Sequence, residues 1–447
     1  MRTIWLVWSV VMTTGVLPAV SLAQSGLPHS STGEWPTYGG DLGNTRYAPH
    51  PQIDATNFND LELVWRFKTD NLGPQPEFKL EGTPLMVGAT LFATGGTRRS
   101  VVALDAATGE LLWVHGEREG IRAETAPRVL SGRGLAYWTD GPARVEERIF
   151  YVTIGFRLVA LDATTGQPVP SFGTAGHIDL KEAAVFGEGR RIDLETGELG
   201  THAAPVVAGN VVVVGGTFRD APAPTTHNNT KGLVQAFDAR TGDRLWTFNT
   251  VPGPGEFGHD TWLNDSWGIN GNNGVWTQIS IDPELGLVYL PVETPSGDYY
   301  GGHRPGDNLF GESLVAVDLL TGERRWHFQL VHHPIWGFDM ACPPILVDVV
   351  VDGVTVKAVA QPSKQAFLYV FDRETGAPLW PIEERPVPRG DVPGEWYSPT
   401  QPFPTRPPAY DRQGSTVDDL IDFTPELRAE AEALVQRYRL GPIFTPP

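Results

Sequence analysis

An all-β fold of radially repeated sheets, a β-propeller, is what this sequence predicts, on three observations. First, Gly (50) and Pro (39) together make up about a fifth of the 447 residues. Both interrupt helices and populate tight turns. Second, the chain is 40% hydrophobic with 14 Trp, enough apolar material for a large core. Third, a short pattern recurs along the chain, and self-similarity at intervals of tens of residues marks repeat architectures. Together these exclude a helical bundle, a coiled coil and a disordered chain. They also disfavour a βαβ enzyme, which needs long amphipathic helices between its strands.

The repeat is apolar-Asp-x-x-Thr-Gly-x-x-x-Trp. It occurs at Asp105–Gly109 with Trp113, at Asp238–Gly242 with Trp246, at Asp318–Gly322 with Trp326 and at Asp372–Gly376 with Trp380. A fifth copy, Asp162–Gly166, carries Pro170 in place of the Trp. Each copy reads as strand, turn, strand. Asp and Thr bond the turn backbone and Gly supplies positive φ. The Trp opens the next strand and packs between neighbouring sheets. The Asp positions lie 54 to 80 residues apart, longer than common propeller blades of roughly 40–50 residues, so loops are inserted between strands. Such units cannot bury their faces alone, and radial repetition leaves only short edges.

Other elements follow from local signals. The stretches 206–215 and 287–292 read as blade strands. A helix is expected near the C-terminal end, with Thr424 as N-cap, Pro425 in the first turn, Gly441 as its stop, and an apolar face of Leu427, Ala431, Leu434 and Tyr438. The Pro-rich stretch 378–408 contains Trp380, Trp396 and Phe403, and reads as an ordered insertion.

The net charge of −19 offers no basic footprint, so no nucleic-acid partner is expected. Residues 1–23 read as a secretory signal peptide: Arg2, an apolar run 4–12, then Ser21-Leu22-Ala23 before the cut. The remainder, 24–447, is expected to be one propeller domain with no transmembrane span, exported to the periplasm. Cys342 is the only cysteine, which excludes an internal disulfide, and it is expected to be a buried structural thiol. His332 and His333 recommend no joint metal site, because adjacent strand residues face opposite ways.

These repeats resemble those of the quinoprotein dehydrogenases, eight-bladed propellers that bind pyrroloquinoline quinone (PQQ). The stretch 39–47 (GGDLGNTRY) looks like the family's entry motif, and 329–336 (QLVHHPIW) like the lead into its catalytic region. Residues 398–403 (SPTQPF) and 441–447 (GPIFTPP) look like the membrane glucose and quinate dehydrogenase branch. The resemblance implies a PQQ- and calcium-dependent dehydrogenase for a sugar, polyol or cyclic alcohol, passing electrons to a quinone or cytochrome. The alternative is a non-catalytic propeller scaffold or a degenerate quinoprotein. About six blade equivalents are counted, against the family's eight.

The resemblance also implies roles. Glu81, Arg133, Thr217, Trp276 and Lys364 match cofactor-contacting positions, with Trp276 stacked on one PQQ face and Lys364 at the quinone oxygens. Asp220 matches an acidic calcium ligand, and Thr294 and Ser296 fall where an oxygen ligand is expected. Planar tricarboxylates need cations and an aromatic platform, and calcium takes oxygen ligands. The family's catalytic aspartate falls on Gly337, which has no side chain. Asp339, two residues on, is the expected substitute base or metal ligand. The covering group for the second PQQ face falls on Pro127 and Arg128, where the Arg128 guanidinium is the candidate.

Overall fold

Each Asp-x-x-Thr-Gly copy folds as the sequence predicts. The Asp Oδ1 accepts the Thr backbone N–H at 2.8–2.9 Å in all five turns. The Gly N–H closes onto the Asp carbonyl at 2.8–2.9 Å, with the glycine at φ between 69° and 81°. In four copies the Thr hydroxyl also donates to the same Asp oxygen, whereas Thr241 turns to Asp243.

A computed structural model of the chain describes residues 33–74, 77–219 and 226–447. The expected signal peptide and Asp220 therefore lie outside the described residues. Four sheets each have four antiparallel strands in simple 1-2-3-4 order. Blade 1 comprises Leu85–Val87, Thr90–Gly95, Ser100–Asp105 and Leu111–His115. Blade 2 comprises Ala136–Thr139, Glu147–Val152, Arg157–Asp162 and His177–Asp179. Blade 3 comprises Val206–Ala208, Val211–Gly216, Leu233–Asp238 and Arg244–Asn249. Blade 4 comprises Ser280–Asp282, Leu287–Pro291, Ser313–Asp318 and Arg324–Gln329. Blade 5 has three strands, Ile345–Val351, Val354–Pro362 and Leu368–Asp372, with Pro378 bridging to Phe371 where a fourth would start. Five blade sheets are thus present among the described residues, against about six expected. The 378–408 stretch is ordered, as expected, and forms a hairpin of Ile382–Pro386 with Thr400–Pro404. The expected strand 206–215 is two strands, broken at Gly209-Asn210.

The blades are joined by a clasp. The indole of one blade lies under the turn glycine of the next. A Cβ on Gly166 would sit 2.5 Å from the Trp113 ring, and one on Gly322 or Gly376 would sit 2.6 Å from Trp246 or Trp326. The indole N–H donates to a carbonyl of that same turn: Trp113 to Ala163, Trp246 to Leu319, Trp326 to Arg373. The glycine is therefore needed twice, for its positive φ and for the ring's close approach. Trp65, outside the expected repeat, does the same to Gly109 and Ala106. Where Pro170 replaces Trp, Gly173 and Ile178 fill the space against Gly242. Most of the core lies between adjacent blades, as in the cluster of Val213, Ala236 and Trp246 from blade 3 with Val288, Val315 and Val317 from blade 4.

Two expectations are corrected. The helix runs Pro425–Val435, capped by Thr424 as expected, but it ends at Gln436, well before Gly441. Its apolar face is exposed, with Leu434 48% and Tyr438 64% accessible, so no packing on the described residues drives its length. Cys342 is exposed, because it lies in the loop leading into blade 5 and not in a strand.

Blades 1 and 2 also share an ionic tie on their outer strands. His115 Nε2 and His177 Nε2 both approach Glu117 Oε1 at 2.9 Å. His177 also donates Nδ1–H to the Ala175 carbonyl, so both of its nitrogens carry protons. Hydrogen bonds from His115 and then His177 hold the Glu117 carboxyl far below the usual range, and Glu117 in turn raises His177. The depressed carboxyl stabilises above its unfolded value of 4.5 and loses this as pH falls. The raised imidazole stabilises below its unfolded value of 6.5 and loses this as pH rises through its folded value. The stability deficit of Glu117→Gln should therefore peak between those limits and shrink on either side. With Glu117 28% exposed it should stay at or below about 1 kcal/mol, measured by urea unfolding from pH 4 to 8.

Candidate active site

Strand order alone gathers the candidate residues at one end of the sheets. In every blade the first hairpin and the Asp-x-x-Thr-Gly turn share one end. The opposite end carries the entry to the first strand and the link from second to third. Glu81, Arg133, Trp276 and Asp339 all precede first strands. Thr217, Thr294 and Lys364 all lie in second-to-third links. All seven therefore face the same opening.

One group forms around the indole of Trp276, which is half-buried. The Arg133 guanidinium carbon lies 4.9 Å from the ring centroid and its NH1 donates to the Trp276 carbonyl at 3.1 Å. Glu81 faces Arg133 at 3.6 Å and Lys79 at 3.2 Å. The backbone here is pressed against blade 3: a Cβ on Gly215 would lie 2.4 Å from the Val275 carbonyl.

The second group is buried. Arg128, 5% exposed, donates through NH2 to the Thr217 hydroxyl at 3.3 Å. Thr217 donates in turn to Glu293, an acid the sequence reading did not single out. Only the missing side chain of Gly274 admits this carboxylate, since a Cβ there would lie 2.6 Å from Glu293 Oε1. Burial, and then the charge of Asp339, push the Glu293 carboxyl up to about 8 against the opposing pull of Arg128. Arg128 thus points at Thr217 and the acid.

Asp339 anchors the third group. Its Oδ1 accepts the Thr294 N–H and its Oδ2 accepts Lys364 Nζ, both at 2.9 Å. Lys364 also donates to the Gly337 carbonyl at 2.9 Å. Burial works against the ammonium, but the charge and hydrogen bond of Asp339 outweigh it and raise its pKa. Glu312, fully buried, is held well above the usual carboxyl range by burial first and Asp339 second. Asp339, Glu312 and Asp298 all act on this one ammonium, an arrangement suited to an additional cation.

The donor set fits a hard cation. The buried Thr294 hydroxyl has no hydrogen-bond partner among the described residues, Asp339 accepts the backbone N–H of the same residue, and the charge of Asp339 reaches the Glu293 carboxyl. Among the described residues no three His, Cys, Asp or Glu side chains form a ready metal cage. The Ser296 hydroxyl instead accepts a hydrogen bond from Asn229 at 2.9 Å, away from this group. His332 and His333 lie beyond the strand Arg324–Gln329, not within it, and bond separate acids, Glu384 and Glu395, of the 378–408 insertion. Glu293 and Glu312 escaped the sequence reading because acids beside strand ends ordinarily sit in water. The only signal was their placement directly against buried runs, Leu287–Val292 and Ser313–Val317.

The family described as "PQQ: Glucose/ethanol/alcohol dehydrogenase, beta-propeller domain" matches residues 35–447. The chain is 31% identical over 445 residues to the glycerol dehydrogenase large subunit of Gluconobacter oxydans, covering 96% of this chain and 57% of that protein. It is 29% identical over 449 residues to the quinoprotein glucose dehydrogenase of Escherichia coli, covering 97% and 54%. The crystal structure of quinohemoprotein alcohol dehydrogenase from Comamonas testosteroni superposes with a TM-score of 0.65 at 26% identity, covering 83% of this chain and 52% of that one. The chain spans about half the length of the curated relatives it matches.

Proposed function

Since the chain belongs to the PQQ β-propeller family of glucose, ethanol and alcohol dehydrogenases, we propose that it oxidises a sugar, polyol or cyclic alcohol at the opening described above. We further propose that it works in the periplasm, exported by residues 1–23, and hands electrons to a quinone or cytochrome. The observation that carries this reading is the convergence of Trp276, Arg133, Arg128 and Lys364 at one end of the sheets. An aromatic platform with three cations suits a planar tricarboxylate. Among the described residues no helix is long and apolar enough to cross a membrane.

Bound there, PQQ would supply a two-electron oxidant and calcium a Lewis acid at its carbonyl. In this reading Trp276 offers its ring face as the platform, and Arg133, fixed by Glu81 and the Trp276 carbonyl, pairs with a cofactor carboxylate. Arg128 and Thr217 line the buried side. Lys364 holds a proton toward the quinone oxygens. Asp339, Glu293 and Thr294 supply oxygens to the metal, with Asp220 as a further acidic ligand.

The test is to titrate purified protein with PQQ and Ca²⁺, reading tryptophan fluorescence, then to screen glycerol, glucose, quinate and ethanol with a dye acceptor. Quenching with a micromolar or tighter midpoint, weakened at least tenfold by Trp276→Ala, is expected. Each aromatic stack on a planar ligand is worth roughly 1–3 kcal/mol. Absence of quenching would sink the cofactor reading. Gly337 favours one alternative, a scaffold that binds without turnover, and the dye assay separates the two.

A further inference from the structure

A cavity of about 480 Å³ lies between the excursion that follows blade 2 and the loop that leaves the last strand of blade 3. That volume is in the range of small-molecule sites. Its apolar lining includes Ala184, Leu233 and Val251, each at most 3% exposed. The half-buried Trp267 adds an aromatic surface, and the exposed Glu188 and Glu256 stand at the rim.

One lining residue is a cation, Lys231, at 5% exposure. Its backbone N–H donates to the Val185 carbonyl at 2.9 Å, so the residue bridges the two walls. Its Nζ donates to the Trp267 and Asn270 carbonyls at 2.5 and 2.6 Å and stands 5.6 Å from the Trp267 ring centroid. An ammonium carries three N–H groups, so two carbonyls leave one over. Both carbonyls are neutral. Burial pulls the pKa down to about 8, and no carboxylate among the described residues opposes it, so at neutral pH the charge is retained without a counter-charge. Buried charges are ordinarily paired. The rim does not supply the pair. Glu256 spends Oε1 on the Asn249 side chain at 2.8 Å and Oε2 on the Gly253 N–H at 2.7 Å, which ties it to its own loop.

We propose that this cavity binds a small organic monoanion, a carboxylate carried on an aromatic body, with Lys231 as its charged anchor. The carboxylate takes the remaining ammonium N–H in a charge-assisted bond, which is stronger than a neutral one. The body covers the apolar lining and meets the Trp267 ring. A second negative charge on the ligand would face Glu188 and Glu256 at the rim, so the site selects against dianions. The proposal does not rest on the dehydrogenase reading, since no residue assigned to the cofactor or the metal takes part.

The experiment is isothermal titration calorimetry on the purified chain, with no PQQ added. The probes are 2-naphthoate, its neutral amide 2-naphthamide, and the dianion 2,6-naphthalenedicarboxylate. Naphthoate should bind with a midpoint of about 1 mM or tighter, within reach of a ligand of this size, and the amide and the dianion at least about tenfold more weakly. Lys231→Met should weaken naphthoate at least about tenfold and bring it level with the amide. Ala183→Phe fills the cavity from its half-buried wall and leaves the ammonium in place, and it should abolish naphthoate binding. Circular dichroism and a thermal melt establish that each variant is folded, and Ala183→Phe decides alone if Lys231→Met is not. Three results overturn the proposal: no naphthoate heat in wild type, an amide or dianion bound as tightly as naphthoate, or naphthoate affinity within threefold of wild type in either folded variant. The last would place the carboxylate elsewhere, for instance at Arg133 and Trp276.

Discussion

Lys364→Met should lower alcohol turnover about a hundredfold or more while leaving the melting temperature nearly unchanged. Lys364 is 40% exposed and belongs to no apolar cluster, so the fold does not depend on it. Its ammonium nevertheless bonds Asp339 at 2.9 Å, and Asp339 in turn acts on the buried Glu293 and Glu312. Without it, Asp339 loses its cationic partner and the Gly337 carbonyl loses its donor. Removing one preorganised donor from a reaction centre typically costs 10²–10³ in rate. Lys364→Arg should recover little, since a planar fork cannot replace a compact ammonium placed between a carbonyl and a carboxylate. Dye-coupled kcat and a thermal melt on the same preparation decide this. Turnover within threefold of wild type would remove Lys364 from the reaction.

The second large effect is on stability. Arg373 Nε bonds Asp282 at 2.7 Å and its NH1 bonds Asp348 at 2.9 Å, with all three side chains at most 4% exposed. Asp282 belongs to blade 4, Asp348 and Arg373 to blade 5, so the triad locks that interface. Arg373→Met would strand two buried carboxylates, and breaking such a pair costs about 3–5 kcal/mol. A lowered urea midpoint with an unchanged m-value is the expected result. Replacing all three with apolar residues of similar volume should restore much of the loss, because the stranded charges disappear with their partner. A triple variant no more stable than the single would refute this account.

How much was legible in the sequence depended on how local each signal was. The Asp-x-x-Thr-Gly turn closes within five residues, by side-chain-to-backbone bonds whose chemistry is visible in the letters themselves. All five turns close as expected, although no fourth strand follows the turn of blade 5 and Trp380 opens none. The role of Trp113, Trp246 and Trp326 between sheets was legible for the same reason. Trp65 was missed because no Asp-x-x-Thr-Gly precedes it. The helix start was read correctly from Thr424 and Pro425, which bond within one turn. Its end was not, because nothing between Val435 and Gly441 carries a strong stop and the face makes no packing contacts that would set its length.

The candidate site was legible only through resemblance. Arg133, Trp276 and Lys364 are far apart along the chain, and only strand order brings them to one end. The resemblance therefore supplied positions that strand order brings to one end of the sheets. It could not supply Glu293, whose surroundings, with Gly274 withdrawn from it, are a three-dimensional fact. Cys342 was misplaced for a related reason: a lone cysteine carries no local signal of depth.

The indole clasp between blades has a direction. Blades 1, 3 and 4 each offer a ring forward, from Trp113, Trp246 and Trp326, so these units are related head to tail and not as mirror-like pairs. A unit of this kind can be exchanged, duplicated or grafted wherever the donor's ring meets the recipient's turn glycine. Chimaeras between this chain and its relatives should therefore tolerate crossovers between a Trp and the following turn. A crossover that pairs an incoming ring with any residue bearing a Cβ at the glycine position would meet contacts near 2.6 Å. The cassette boundary for recombination lies at the clasp, on the end of the sheets remote from the chemistry, which leaves the loops at the opening free to diverge.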